Sequence, residues 1–235
     1  MLTNAQLTGC DDAHIEQWQG VGLTAGCRAA FQALQHEAAA AGFDLQIASG
    51  FRSFERQRAI FNAKATGKRP VHDDEGVELS LEQLDDSARL HAILRFSALP
   101  GASRHHWGSD IDVYDAAAVP EGYAVQLSPA EVADNGVFGP LHRWLDARID
   151  AADAFGFYRP YDRERGGVAP ERWHLSYAPE ARVSEAAFST DVLQRTLSAL
   201  PAGRELAMAD QVMAALPGLV ERYVRAVAPA PAVRP

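Results

Sequence analysis

Between Thr24 and Ala41 the apolar residues Cys27, Phe31, Leu34 and Ala38 recur at intervals of three and four, the pattern of one buried helix face. Gly42 follows as a stop signal. The period then shortens. In DLQIASG, Leu45 and Ile47 alternate with polar or small neighbours, as in a short strand that runs into a turn at Gly50. Ser53 is placed to cap a second helix, with Glu55 in its first turn and Phe54, Ile60 and Phe61 toward a core. Arg52 therefore sits at a strand-to-helix junction.

Residues 73–86 are acidic and poor in large apolar groups, as in a solvated insertion. A helix is predicted from Ser87 to about Leu99, a short one after Ser128, and a longer one from Gly139 to Phe155. Two further stretches have period two. DIDVY puts Asp110 and Asp112 on one face and Ile111 and Val113 on the other, while ERWHLSY separates Trp173, Leu175 and Tyr177 from His174 and Ser176. His174 is thereby aimed away from the core. Beyond Pro179, Val212, Met213, Leu216, Val220 and Val224 form the apolar stripes of a helical extension over 181–227, expected to pack on the main domain, and APAPAVRP (228–235) reads as a flexible tail.

At 235 residues and 47% hydrophobic content the chain is long enough for one substantial core. A net charge of −9 argues against nucleic acid as a partner, because binding a polyanion needs a basic surface. Small or peptide-like substrates fit better. Cys10 and Cys27 form no CxxC pair and read as free thiols of a reducing compartment. No run approaches the roughly 20 apolar residues of a membrane span. LTGC at Leu7 to Cys10 resembles a lipoprotein cleavage box, but the residues before it supply neither a basic nor an apolar region, so a cytoplasmic location is expected.

The densest chemistry lies in SRHHWGSDIDVYD, Ser103 to Asp115. Catalytic zinc commonly takes three protein ligands and keeps a fourth position open. This stretch can supply one His and one Asp, and His174 the third ligand. Spacing alone does not choose between His105 and His106, or among Asp110, Asp112 and Asp115. His14, His36, His72, His91 and His142 show no partner pattern and read as surface or helix residues.

Three elements resemble the D-alanyl-D-alanine carboxypeptidase family of zinc peptidases, relatives of the vancomycin-resistance carboxypeptidases and of L,D-carboxypeptidases. Ser-x-His-x-x-Gly-x-x-x-Asp is met by Ser103, His105, Gly108 and Asp112; Glu-x-x-His with a preceding Trp by Glu171, Trp173 and His174. An Arg after Ser-Gly-aromatic, with a Gln five residues later, is met by Ser49, Gly50, Phe51, Arg52 and Gln57. They follow the family's order across residues 25–180. With the predicted elements this implies an α+β fold, a small antiparallel sheet flanked by helices with the zinc site on the sheet, and a catalytic domain over 1–180.

The resemblance further implies that His105, Asp112 and His174 bind Zn2+, whereas His106 and Asp110 do not. Glu171 would be the general base, Arg52 would bind a substrate carboxylate or the developing oxyanion, and Gln57 and Ser103 would help bind substrate. His106, Trp107 and Tyr114 read as pocket wall or packing. Asp110 departs from the family, which usually has a small residue there; its carboxylate would orient a ligand histidine or form a salt bridge. The implied reaction is release of the terminal D-alanine of peptidoglycan stem peptides. Two alternatives are a peptidoglycan endopeptidase of the phage-lysin type, which a wall-binding module would favour, and an inactive zinc-bearing domain that only binds wall peptides. A pure binder has no need of Glu171 beside a metal.

Overall fold

Near the amino terminus Thr3 and Gln6 form a reciprocal capping pair that opens α1 (Asn4–Leu7). A hairpin of β1 (Glu16–Trp18) and β2 (Val21–Leu23) follows. Thr24 then caps α2 (Ala25–Ala40), accepting from the Cys27 N–H, and the helix buries the four apolar residues that its sequence periodicity marks. Residues 1–232 are described by this computed structural model.

β3 (Leu45–Ser49) leads into α3 (Phe54–Ala65), whose first turn is capped by the Ser53 hydroxyl. Next come α4 (Asp86–Arg95), β4 (Asp110–Asp115), α5 (Pro129–Val132) and α6 (Gly139–Asp150). β5 (Phe157–Tyr158) and β6 (His174–Tyr177) complete a four-stranded sheet of order β3-β4-β6-β5, antiparallel at every pair. The chain closes with α7 (Ala178–Ala187), α8 (Thr190–Ser198) and α9 (Ala209–Val220). The fold is α+β.

Two apolar clusters hold these layers. α2 and α6 cover one face of the sheet, where Phe31, Leu34, Leu141 and Leu145 meet Ile111, Val113 and Leu175, all fully buried. Each such side chain contributes roughly 1.5–3 kcal/mol through area removed from water. The second cluster joins α3 and α4 to α8 and α9 through Phe54, Phe61, Ile93, Leu193, Val212 and Val220. The opposite face of β4 and β6 is left between them, and it is polar.

Three boundaries differ from the sequence pattern. α4 ends at Arg95, not Leu99, because Phe96 leaves the helical region. α6 ends at Asp150, not Phe155: the N–H groups of Ala152 and Asp153 fold back onto the carbonyls of Ile149 and Arg148, and Ala152 and Phe155 take positive φ to turn toward β5. Part of the expected tail is tied down, since the Ala228 N–H donates to the Pro160 carbonyl at 2.8 Å and Ala230 packs on Tyr158, Ala178 and Ala181. Residues 233–235 lie outside the described ones. Cys10 is exposed, Cys27 is buried, and both are free thiols. Among the described residues no helix is long and apolar enough to cross a membrane.

Candidate metal centre and active-site cleft

Antiparallel register builds the centre. β4 and β6 pair Asp112 with His174 and Asp110 with Ser176, and directly opposed residues share a sheet face. Ile111, Val113 and Leu175 consequently enter the apolar core while Asp110, Asp112, His174 and Ser176 occupy the polar side, all of them buried.

His105 reaches this face from a 3-10 turn, Arg104–Trp107, that ends at Gly108 with φ of 72°. The positive φ favours glycine at Gly108, where a Cβ would also lie 2.3 Å from Ile15 Cδ1, the movable end of that side chain. The His105 Nε2 lies 3.2 Å from Asp112 Oδ2, and His174 Nδ1 lies 3.0 Å from Asp112 Oδ1. One donor atom from each residue falls within 4.8 Å of the others. His106 is absent from this group. Its Nε2 accepts from the Gly101 N–H at 3.1 Å and its Nδ1 donates to the Arg52 carbonyl at 2.5 Å, so both ring nitrogens serve the fold. Asp115 faces elsewhere, accepting from the backbone N–H groups of Asp44 and Ala117.

Both imidazoles of the trio are tied through their outer nitrogens. His105 Nδ1 donates to the Asp110 carbonyl at 3.2 Å, and His174 Nε2 to the Asp110 carboxylate at 3.1 Å. Such ties turn the other nitrogen of each ring toward Asp112, the arrangement a tightly bound transition metal needs. Two neutral imidazoles and one carboxylate, buried and convergent with a side open to a cleft, fit a divalent first-row cation such as zinc.

Electrostatics agree with that fit. Burial alone would lower the His174 pKa, but Asp110 and Asp112 outweigh it and raise it to about 9. For His105 burial prevails and the pKa falls. Burial would raise the Asp112 carboxyl, yet His105 and His174 hold it far below the usual carboxylate range. A proton on His174 and a cation at the centre are therefore alternatives. Glu171, whose carboxylate lies 3.8 Å from His174 Nδ1, is pushed up to about 7 by burial and by Asp112, against the pull of His174, Arg52 and Lys64.

Arg52 arrives by a different route. A register shift between Ile47 and Ser49 brings Ser49 opposite Asp112, and Gly50 allows close approach to β2, where a Cβ would lie 2.7 Å from the Gly22 carbonyl. The guanidinium donates to Gln57 Oε1 at 2.8 Å and to Ser49 Oγ at 3.1 Å. Gln57 is fully buried and its amide nitrogen donates to the Ala98 carbonyl at 2.6 Å. Each end of Gln57 is thus engaged by the fold, and its oxygen holds the Arg52 guanidinium in place.

A cleft of about 580 Å³ is lined by Arg52, Ser103, His105, Asp112, Glu171 and His174. A larger open groove of about 1330 Å³ lies against α6 and residues 228–232 and contains none of the seven candidates. Volume alone does not mark chemistry, and the smaller cleft is the one that brings Glu171, with its raised pKa, together with His105, Asp112 and His174. The family model for VanY, D-alanyl-D-alanine carboxypeptidase, matches residues 21–180. The chain belongs to this family.

A stretch of 70 residues is 61% identical to an uncharacterized protein of Haemophilus influenzae, spanning 30% of this chain and about half (48%) of that relative. A second uncharacterized protein of the same bacterium is 30% identical over 127 residues, 54% of this chain and 92% of its own. Among solved structures, VanYB in complex with D-alanine-D-alanine aligns with 22% identity over 80% of this chain and 89% of its own, at a TM-score of 0.49. A mutant of the vancomycin resistance D,D-pentapeptidase VanY in complex with Zn(II) aligns with 24% identity over 69% and 77%, at 0.48.

Sequence reading missed Arg104, Lys64 and Arg69 of this family member. Lys64 and Arg69 line the cleft beside Arg52, and neither forms an ion pair among the described residues. Burial and the neighbouring Arg69 lower the Lys64 pKa to about 8. The only advance signal for Arg104 was the carboxylate at Asp110, a buried charge in need of a partner.

Proposed function

We propose that this chain is a zinc-dependent carboxypeptidase that removes the terminal D-alanine of peptidoglycan stem peptides. The observation that carries the reading is the convergence of His105, Asp112 and His174 with Glu171 and Arg52 in one cleft, from parts of the chain far apart in sequence. Zinc held by His105, Asp112 and His174 would supply a Lewis acid and bring the pKa of a bound water to about 7.

The remaining roles belong to the chain. Glu171, with its pKa raised to about 7, is balanced between its two protonation states, so it can take a proton from water and return it to the leaving amine. The charge of a nearby cation draws its pKa further down, toward the accepting form. Arg52 is preorganised by Gln57 and Ser49 and keeps further N–H donors for the substrate; an oriented donor at a developing oxyanion is worth about 3 kcal/mol. Ser103 lines the cleft next to His105 and is placed to contact bound peptide.

Lys64 and Arg69 favour exopeptidase action, because two cations beside Arg52 with no ion-pair partner among the described residues suit a free terminal carboxylate better than a peptide that continues past the scissile bond. The test is D-alanine release from defined tetra- and pentapeptide muropeptides, followed by liquid chromatography, with C-terminal amides as comparison. Release from the carboxylate peptides and weak release from the amides support the reading; equal cleavage of both, or internal cuts only, overturns it. The same products separate D,D from L,D cleavage.

A further inference from the structure

The carboxylate that departs from the family pattern is the most heavily bonded group of the centre. Asp110 is fully buried, and its Oδ1 accepts from Arg104 Nε at 2.7 Å and from His174 Nε2 at 3.1 Å, while the Ser109 hydroxyl donates to Oδ2 at 2.9 Å. Donors on both oxygens fix the plane of the carboxylate. Arg104 is itself fixed: it donates to Tyr158 OH at 2.9 Å, to Ser176 Oγ at 2.8 Å and to Glu185 Oε1 at 2.7 Å, and it stacks on Trp107 at 4.7 Å. Tyr158 OH closes the ring by donating to the same Glu185 oxygen at 2.9 Å.

A counter-ion for Arg104 alone would not need this placement, because Glu185 already pairs with it. The position of Asp110 Oδ1 matters for His174. An ionised carboxylate can only accept, so the imidazole proton it meets must sit on Nε2, and Nδ1, the atom facing Asp112, is the nitrogen that gives up its proton to a cation.

We propose that Asp110 is a positioning residue of the metal centre, fixing His174 with its proton on Nε2 so that Nδ1 is the ligand atom, and that Arg104 and Glu185 hold Asp110 in place. The inference rests on the metal reading of the site. Glu185 lies on α7, beyond the residues that match the family model, so the helical extension is mechanically joined to the centre.

Two measurements test it, neither of them activity. In zinc-loaded wild-type protein with 15N-labelled histidine, NMR should show His174 protonated at Nε2 and metal-bound at Nδ1. Asp110→Asn keeps the shape but weakens the acceptor, and its zinc affinity should fall about 10- to 100-fold with an unchanged metal-free circular dichroism spectrum. Zinc bound through Nε2 with Nδ1 protonated overturns the inference, as does a folded Asp110→Asn protein that binds zinc as tightly as wild type. If that variant does not fold, the wild-type spectrum still decides. A wild-type protein that takes up no zinc overturns the metal reading as well, which separates the two failures.

Discussion

His174 donates from Nε2 to Asp110 and faces Asp112 with Nδ1, at 3.1 and 3.0 Å, so one imidazole is clamped between two carboxylates. His105 is tied to the backbone carbonyl of the same Asp110. A single residue thus sets both rings, one through its main chain and one through its side chain.

That clamp makes metal uptake pH-dependent. With His174 raised to about 9, the metal-free protein carries a proton there at neutral pH, and a cation must displace it. Calorimetry in buffers of different ionisation enthalpy should find about one proton released per zinc at pH 7, and affinity that weakens as pH falls below about 9. Pairing also stabilises the metal-free fold. The folded pKa lies above the unfolded 6.5, so this contribution is complete below 6.5 and is lost as pH rises through about 9, and thermal melts of metal-free protein should show that loss.

Ligand choice can be read by metal analysis. His105→Ala and His174→Ala should lose the single zinc, whereas His106→Ala should keep it. The His106 variant instead leaves the Gly101 N–H and the Arg52 carbonyl unpaired, a cost of about 1–3 kcal/mol in denaturant unfolding. Zinc lost from the His106 variant but kept by the His105 variant would contradict the assignment.

Glu171→Gln should retain zinc and lose about 10²- to 10⁴-fold in kcat, because an amide fills the space without accepting a proton. The part of the acid limb of the wild-type pH profile that this carboxyl sets, below its metal-free value of about 7, should vanish with it. Near-normal turnover would assign the proton transfer to another group.

Gln57→Ala tests action through Arg52. Substrate binding by the amide itself would alter KM alone, whereas a misoriented guanidinium lowers kcat, and zinc content stays unchanged in either case. Arg52→Lys should be comparably harmful, since an ammonium cannot hold Gln57 and Ser49 and still present a planar fork.

Lys64→Gln and Arg69→Gln should raise KM for peptides with a free C-terminal carboxylate and narrow their advantage over the amides. An unchanged carboxylate-to-amide ratio would remove both cations from substrate recognition.

Much of this protein is written in short-range pattern. The face of α2, the Ser53 cap of α3 and the alternation of DIDVY and HLSY are local properties, because period and capping depend on neighbours a few residues away. These were enough to put Asp110, Asp112 and His174 on polar faces. Spacing left His105 and His106 equivalent, and only the family motif preferred one. Tertiary structure shows the physical difference: the turn ending at Gly108 points His105 to Asp112, while Gly101 and Arg52 occupy both nitrogens of His106. The register of β4 against β6, which no local pattern sets, brought Asp112 to His174 and let Asp110 meet both His174 and Arg104. The partners of Gln57, Arg52 and the Ala98 carbonyl, come together only when α3 packs beside the turn after α4, so no local pattern announces them. Sequence determined which groups were available and which way each strand presented them; contacts between distant segments decided which converge on the candidate centre, which line its cleft and which hold the others still.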